Sequence, residues 1–568
     1  MAFRASSPRG RIKDGTVLPL PLLCRSEFSP APSPSLAPAS VTDTMSDRVT
    51  TIFGARGKLL HSLQVLLIGA PAFVIFGYNQ AGLGPLATLD SWVSTFPDID
   101  TIHTTGAEKS SNSTKKGAVI AAFQIGALIG ALSTTFFSDR FGRRMTIFIG
   151  AILTIVGQVL QVAAYGLPQF VVGRVILGIG TGQFNVAVPV WQSESSAAKN
   201  RGQHVIIDGM FMCLGYALCN WIDFGLSRID ESTTQWRVPL AIALLPSLMI
   251  LCSVFLFPES PRWLVQVNRV ELAERSLSAL KGDEATPEEI RAEIAGIQTS
   301  LELTAHAKAS LLEIFSKDDQ DKLLYRFILC MMLQFFQQMC GGNLISVYAS
   351  TIFEENLGMS ESLSKILASC ALTWKFLCCF ISFWAIDRLG RRICFIVSGT
   401  GMACCMMAMA ITNSIGEDNK GASIASAVFI FLFNCFYPIG FLGGNFLYAS
   451  EVAPARLRVA MSAFSAANHW LWNFVVVMVT PVALDTIGYK YYVMYTVLSA
   501  CIPISVYFFY PETMNRNLEL INQVFRDASS PWEIVSMARK LPQGEVAEAQ
   551  LAAIHKKDGT ELEMKEEA

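Results

Sequence analysis

The sequence Asp139-Arg140-Phe141-Gly142-Arg143-Arg144 returns later in the chain as Asp387-Arg388-Leu389-Gly390-Arg391-Arg392. Two further pairs follow in the same order: Ser193-Glu194 with Arg201 returns as Ser450-Glu451 with Arg458, and Pro258-Glu259-Ser260 returns as Pro511-Glu512-Thr513. Three matches in one order and at nearly one spacing indicate that the chain consists of two halves related by duplication.

Each of these motifs lies at the end of an apolar run. Hydrophobic residues make up 52% of the chain and charged residues only 16%, a composition typical of membrane proteins. Twelve runs reach the roughly 20 residues that a helix needs to cross a bilayer. Their approximate spans are 61–84, 117–138, 145–164, 168–192, 204–224, 237–257, 323–351, 363–386, 393–413, 422–448, 459–484 and 491–510. Because lipid offers the backbone no hydrogen-bond partner, the sequence predicts an all-α membrane protein with twelve transmembrane helices in two pseudo-symmetric six-helix bundles.

Composition also excludes several classes of function. The 44 basic and 46 acidic residues nearly cancel, so the chain has no basic surface for nucleic acid. The 14 cysteines include no CxxC pair, and we interpret them as small buried hydrophobic residues. Because the sequence has no Walker A loop, zinc motif or nucleophile elbow, we expect no enzyme, no metal site and no cofactor.

Arginine residues predict the orientation. They follow spans two, four, eight and ten in short loops, which places these loops and both termini in the cytoplasm. The loop after span one would then lie outside the cell, where Asn112-Ser113-Thr114 predicts N-glycosylation of Asn112. We expect the membrane to be the plasma membrane.

The same pattern divides the chain into five parts. The predicted parts are a disordered cytoplasmic tail over 1–57, a first bundle over 58–257, a cytoplasmic helical linker over 258–322, a second bundle over 323–510 and a cytoplasmic tail over 511–568. The linker assignment depends on charged, helix-favouring sequence such as Glu288-Glu289-Ile290-Arg291-Ala292-Glu293.

Acidic and basic residues recur together at the cytoplasmic helix ends. We predict that these charges pair across the midline when the cytoplasmic side is closed and separate when it opens. The predicted gate residues are Asp139, Arg143, Arg144, Glu194, Arg201 and Glu259 in the first half, and Asp387, Arg391, Arg392, Glu451, Arg458 and Glu512 in the second. The alternative is that the arginines only follow the positive-inside rule, which does not explain the matched glutamates.

Together these motifs resemble the sugar porter family of the major facilitator superfamily, in the style of its fungal members. The resemblance covers about residues 52–530, and its motifs also include Gly77-Tyr78-Asn79, Gly173-Arg174, Pro258-Glu259-Ser260-Pro261-Arg262-Trp263 and Gln337-Gln338 with Asn343. It implies the major facilitator fold, alternating access around a solute site at the bilayer midplane, and a sugar or similar small polar solute. We expect the lipid-embedded carrier to be a monomer.

Span seven carries the predicted solute site. Gln334, Gln337 and Gln338 lie on one helical face, where exposure to lipid would be costly. Gly341-Gly342 allows the helix to break and Asn343 to turn inward. The resemblance implies that Gln337, Gln338 and Asn343 bind sugar hydroxyls; the alternative is that the amides only hold helices together.

Other predicted site residues come from spans one, five, eight, ten and eleven and from the end of span seven. They are Asn79, Asp208, Tyr348, Lys375, Asn445, Phe446, His469, Trp470 and Asn473. Several positions depart from the family: Gly209, preceded by Asp208, stands where a glutamine is usual, Lys375 where an asparagine is usual, and Phe446 where a tryptophan is usual. We predict an ion pair between Asp208 and Lys375; the alternative is that Lys375 binds an acidic solute directly.

Asn79 bears on energy coupling. Proton-coupled relatives have an aspartate at this position, and an amide cannot titrate, so the sequence favours uniport. The alternatives are a proton symporter that uses Asp208, or a carrier of a polyol, an acidic sugar derivative or a secondary metabolite. A nutrient receptor that has lost transport is disfavoured, because the tail after span twelve is short.

Overall fold

The computed structural model describes residues 51–196, 201–229, 232–282, 285–306, 311–315, 321–415, 419–454, 457–514, 516 and 518–541. Every regular element in these ranges is a helix. Most of the predicted N-terminal tail and the last part of the C-terminal tail lie outside the described residues, and the predicted domain boundaries stay predictions.

Twelve helices cross the core of the molecule, as predicted. Eleven of those in the described ranges are long and apolar enough to span a membrane. They are Gly57–Leu86, Gly106–Phe141, Arg143–Val162, Leu167–Ser195, Val205–Leu226, Thr234–Leu256, Glu361–Leu389, Arg391–Ser414, Lys420–Val452, Ala460–Ile487 and Lys490–Phe509. The remaining helix is span seven, which is interrupted and whose first segment is Leu323–Met339.

In the described residues, two spans break at a glycine with positive φ. Span seven ends at Met339 and resumes as the short helix Gly342–Val347 after Gly341, whose φ of 91° lies in the left-handed region that glycine adopts without strain. The predicted break is therefore confirmed. Span ten has a second break, which the sequence did not predict: Gly443 has a φ of 118° and separates Lys420–Phe441 from Gly444–Val452. Both breaks free backbone groups in the middle of the second half.

Small residues let helices pack closely within the first half. At Gly126, Gly130, Gly178 and Gly182, an added Cβ would meet the backbone of the facing helix, so spans two and four touch through their main chains. The halves meet along two other pairs, span two with span eleven and span five with span eight. Spans one, two, five, seven, eight, ten and eleven therefore line the interface between the halves.

Helices outside the membrane follow both halves. The predicted linker contains Pro261–Gln266, Val270–Lys281 and Pro287–His306. The C-terminal tail forms Leu518–Asp527 and Pro531–Lys540. Arg326 of span seven binds the first tail helix, with its guanidinium 4.0 Å from the centre of the Phe525 ring. The sequence did not predict this packing.

Candidate solute site and charged clusters

One charged cluster closes the end of the first half that carries the Asp-Arg-x-Gly-Arg-Arg loop, here called the repeat end. Nε and Nη2 of Arg143 donate to the Glu194 carboxylate at 2.8 and 2.9 Å, and Ser260 Oγ donates to the same group at 2.6 Å. Glu259 accepts from the backbone N–H groups of Arg143 and Arg144 at 3.2 Å each. Burial raises the pKa of Glu259 above its ordinary value, and the Ser260 N–H and the Arg144 guanidinium partly oppose this shift.

The second half repeats this geometry. Arg391 binds Glu451 at 3.3 and 3.0 Å, and Thr513 Oγ1 donates to Glu451 at 2.6 Å in the place that Ser260 holds in the first half. Glu512 accepts from the backbone N–H groups of Arg391 and Arg392 at 3.0 and 3.1 Å. The matching bonds extend the duplication from the sequence to individual hydrogen bonds.

These ion pairs form within each half. Arg143 also lies 3.7 Å from Asp139, and Arg391 lies 3.2 Å from Asp387, each one helical turn away. The prediction that these charges pair across the midline is therefore wrong for the ion pairs that the structure describes, because each arginine is surrounded by acids of its own bundle. The side chain of Arg201 lies outside the described residues, and half-buried Arg458 begins span eleven.

The amides predicted in spans seven, ten and eleven come together in one buried network. Asn445 Nδ2 donates to Oε1 of both Gln334 and Gln337, at 2.7 and 2.9 Å. Asn343 Nδ2 donates to Oε1 of Gln338 and to Oδ1 of Asn473, the latter at 3.0 Å. Side chains with both donors and acceptors thus converge at the two helix breaks, as recognition of several hydroxyls would require.

His469 joins the two parts of this network. Its Nδ1 lies 2.7 Å from Gln337 Oε1 and 2.9 Å from Gln338 Nε2. In neutral imidazole one nitrogen either donates or accepts, so only one of these contacts is a hydrogen bond at a time. The tautomer of His469 therefore decides whether Gln337 or Gln338 is its hydrogen-bond partner. Phe446 packs beside His469, with ring centres 5.2 Å apart.

Two features join this network to the first half. Gln80 Nε2 of span one donates to Asn343 Oδ1 at 3.0 Å. Trp470 is fully buried between rings of the first half, with its centre 5.1 Å from Phe76 and 6.0 Å from Phe123. Trp470, a predicted site residue, therefore contacts phenylalanine rings of the first half in this conformation.

Apolar contacts between the halves lie on both sides of the network. At the repeat end, Ile206 of span five packs with Ile386 and Cys394. At the opposite end, residues of the first half such as Leu86 and Trp92 pack in one cluster with residues of spans seven and eleven that include Val347, Tyr348 and Val477. The amide network lies between two such contact zones, as expected for an occluded site.

Lys375 and Asp208 lie apart. Lys375 Nζ donates to Ser346 Oγ at 2.7 Å and lies 4.4 and 5.1 Å from the ring centres of Tyr437 and Tyr216. Asp208 lies beside Gln192 of span four, and no basic side chain of the described residues pairs with its carboxylate. The predicted ion pair is therefore wrong.

The reason is helical phase. On span five, Met212 and Gly215, four and seven residues after Asp208, pack against the backbone of span one, so this face points into the first half. Tyr216, whose ring lies near Lys375, is on a different face of span five from Asp208 and points toward the second half.

The remaining predicted residues bind backbone groups. Asn79 Nδ2 donates to Ile75 O of its own helix at 2.9 Å, and Arg174 Nη1 donates to Asn79 O at 3.2 Å. The Tyr348 hydroxyl donates to Val477 O at 2.8 Å, toward the end opposite the repeat loops. None of these three contacts belongs to the amide network.

Asn112 is poorly placed for glycosylation. It lies within the helix Gly106–Phe141, is only 5% exposed, and its Nδ2 donates to Asp100 O at 2.8 Å. This nitrogen would carry the glycan, which would have to displace a hydrogen bond and open a packed helix. This packing does not favour glycosylation of Asn112, which stays a prediction.

Sequence reasoning missed five residues around the site. They are Gln80, Tyr216, Ser346, Tyr437 and Ser465, the last of which accepts from Gln334 Nε2 at 3.0 Å. Gln80 carried a usable signal, because it is a polar residue within an apolar span and directly follows a family motif. The other four are common in membrane helices and had none.

Comparison with known proteins agrees with this architecture. The family model described as "Sugar (and other) transporter" matches residues 65–525. The sugar transporter STL1 of Saccharomyces cerevisiae is 33% identical over 506 residues. The match covers 88% of this chain and 87% of the length of STL1. The high-affinity glucose transporter of Kluyveromyces lactis is 28% identical, covering 85% and 89%.

Solved structures give the same fold. The proton:xylose symporter XylE bound to 6-bromo-6-deoxy-D-glucose superimposes with a TM-score of 0.68 at 22% identity, covering 80% of this chain and 97% of that one. A partially occluded inward open form of XylE from E. coli gives 0.66 at 21% identity, covering 79% and 98%.

Proposed function

Because this chain belongs to the sugar (and other) transporter family, whose members are multi-pass membrane transporters and not enzymes, we propose that it carries a hexose or a related saccharide by alternating access. The observation that carries the proposal is the amide network of spans seven, ten and eleven, enclosed between the two halves. Amides at helix breaks offer both donors and acceptors to a ring of hydroxyl groups.

The mechanism follows from which contacts can separate. Each charged cluster stabilises one bundle, so the bundles move as units about the solute. Opening at the end opposite the repeat loops breaks the Gln80 to Asn343 bond and the packing on Trp92; opening at the repeat end separates Ile206 from Ile386. A solute that bridges the network and Gln80 favours the enclosed state from either side.

Uniport is the favoured form of this transport. Asn79 stands beside Arg174 where proton-coupled relatives carry an aspartate, and an amide holds no titrating proton. Proton symport is the second candidate, because Asp208 is a buried carboxyl group without an ion-pair partner among the described residues. The arginines of the short loops support cytoplasmic termini. We propose a monomeric carrier in the plasma membrane.

Transport can be tested with purified protein in proteoliposomes. We expect saturable uptake of radiolabelled D-glucose or D-xylose, with an initial rate that is unchanged by an inward pH gradient at zero membrane potential. Gln337→Ala is expected to reduce this uptake. Gln161→Ala is expected to retain it, because the described hydrogen bond of that amide stays within its own helix.

The outcomes separate the candidates. Accumulation driven by the pH gradient and lost in Asp208→Asn would replace uniport by symport. Equal uptake by Gln337→Ala and the unaltered protein would remove the amide network from the solute site. Absence of uptake of any sugar by folded protein would contradict saccharide transport.

A further inference from the structure

Lys375 is a buried cation at the boundary between the halves. It lies midway along Glu361–Leu389 and is 2% exposed. Its ammonium group donates to Ser346 Oγ at 2.7 Å, while the Tyr437 ring of the second half and the Tyr216 ring of the first half lie 4.4 and 5.1 Å away. One charged atom thus contacts both halves of the molecule.

No carboxylate in the described part of the chain neutralises this charge. Among the described residues Lys375 has no ion pair, whereas Lys365 on the same helix binds Glu361 at 2.5 Å. A lysine at the bilayer centre costs roughly 2.5–3.5 kcal/mol on insertion scales. Each tyrosine face recovers about 0.5–2 kcal/mol, which stabilises the ammonium but leaves its positive field in place.

The ammonium meets the amide network on one short helix. Ser346, which accepts from Lys375, belongs to Gly342–Val347 and donates to Gly342 O at 2.6 Å. Asn343 of the same helix binds Gln338, Asn473 and Gln80. The groups suited to hydroxyls and the cation suited to an anion are therefore parts of one site.

We propose that the solute is a polyhydroxy carboxylate, an acidic sugar whose carboxylate replaces Ser346 at Lys375 Nζ while its hydroxyls bind the amides. This inference rests on the proposed saccharide transport and names its substrate class. A neutral sugar would use the amides equally well and leave the cation uncompensated. A carboxylate would neutralise the Lys375 ammonium in this buried site, where a charge-assisted bond is strong.

The test compares sugars that differ only at one carbon. Uptake of D-glucuronate with D-glucose, and of D-galacturonate with D-galactose, is measured in proteoliposomes at zero membrane potential, so charged and neutral solutes experience the same driving force. We expect each acid to be taken up at least about tenfold better than its neutral partner, as kcat/KM. Lys375→Met is expected to remove this preference, Lys375→Arg to keep part of it, and Lys365→Met, which lies outside the site, to leave it unchanged.

A second measurement avoids dependence on the folding of the variants. In the unaltered protein, unlabelled D-glucuronate should compete with the uptake of labelled neutral sugar at about one tenth of the concentration that D-glucose requires. Uptake of neutral sugars without preference for the acids, or a preference that persists in Lys375→Met, would overturn the inference and leave saccharide transport standing. Absence of uptake of all four sugars would overturn both.

Discussion

Gln80 Nε2 donates to Asn343 Oδ1 at 3.0 Å, and this bond joins span one of the first half to the broken segment of span seven in the second. Both side chains are buried. The segment that carries Asn343 is released from the rest of span seven by Gly341. Movement of this segment is thereby linked directly to the position of the other half.

Replacing Gln80 by leucine is expected to weaken solute binding. The change keeps the volume but leaves Asn343 Oδ1 without its donor, at a cost of about 1–3 kcal/mol. We expect the dissociation constant to rise roughly 5- to 150-fold. Isothermal titration with the transported solute measures this change. Gln161→Leu removes another buried amide of the first half and should leave binding unchanged; equal affinities for both variants would contradict the role of Gln80.

The contrast between Gln80 and Asn343 shows what sequence could and could not supply. Asn343 follows two glycines and three amides at helical spacing, a local pattern with one physical explanation. Gln80 carried a signal as a polar residue in an apolar span, but its partner lies in the other half, and no local pattern records which side chains two packed bundles bring together. The same reason accounts for Asp208 and Lys375: the cost of burying each charge was evident, but their partners depended on helical phase.

The charged clusters should contribute to stability independently in each half. Breaking the buried pair of Arg143 with Glu194, or of Arg391 with Glu451, leaves an uncompensated acid and costs about 3–5 kcal/mol. We therefore expect Arg143→Ala and Arg391→Ala each to lower the temperature of thermal unfolding in detergent. Arg140→Ala, in the same loop but exposed, should have little effect.

The double variant tests whether these charges communicate across the midline. Because the clusters share no described ion pair, the two losses should add within about 0.5 kcal/mol, as for distant sites. A larger coupling energy would show that the clusters interact between the halves and would restore the predicted midline pairing.

Close packing of spans one and five should make Gly77 intolerant of a side chain. A Cβ at Gly77 would overlap the carbonyl oxygen of Met212, and backbone atoms cannot turn aside as a flexible side chain can. Gly77→Ala is expected to destabilise the first half by about 1–3 kcal/mol through overpacking. Gly225→Ala is the matched control on span five, because a Cβ there meets no atom within 4 Å. The unfolding temperatures of both variants are compared, and equal shifts would contradict the overlap at Gly77.

The first tail helix should stabilise the second half although it lies outside the membrane. Phe525 is fully buried and the Arg326 guanidinium lies 4.0 Å from its ring centre, while Arg326 Nη1 donates to Asn522 Oδ1 at 2.5 Å. Phe525→Ala removes both ring packing and the cation–π contact, and should cost about 3–5 kcal/mol. Trp532→Ala, at a ring that is 54% exposed, should cost much less.

The measurement is thermal unfolding of both variants in the same detergent, followed by solute binding below the transition. Because Phe525 contacts span seven near its start, far along the chain from the break at Gly341, we expect lower stability with unchanged affinity. Loss of affinity without loss of stability would instead mean that the tail helix sets the position of span seven and belongs to the transport mechanism.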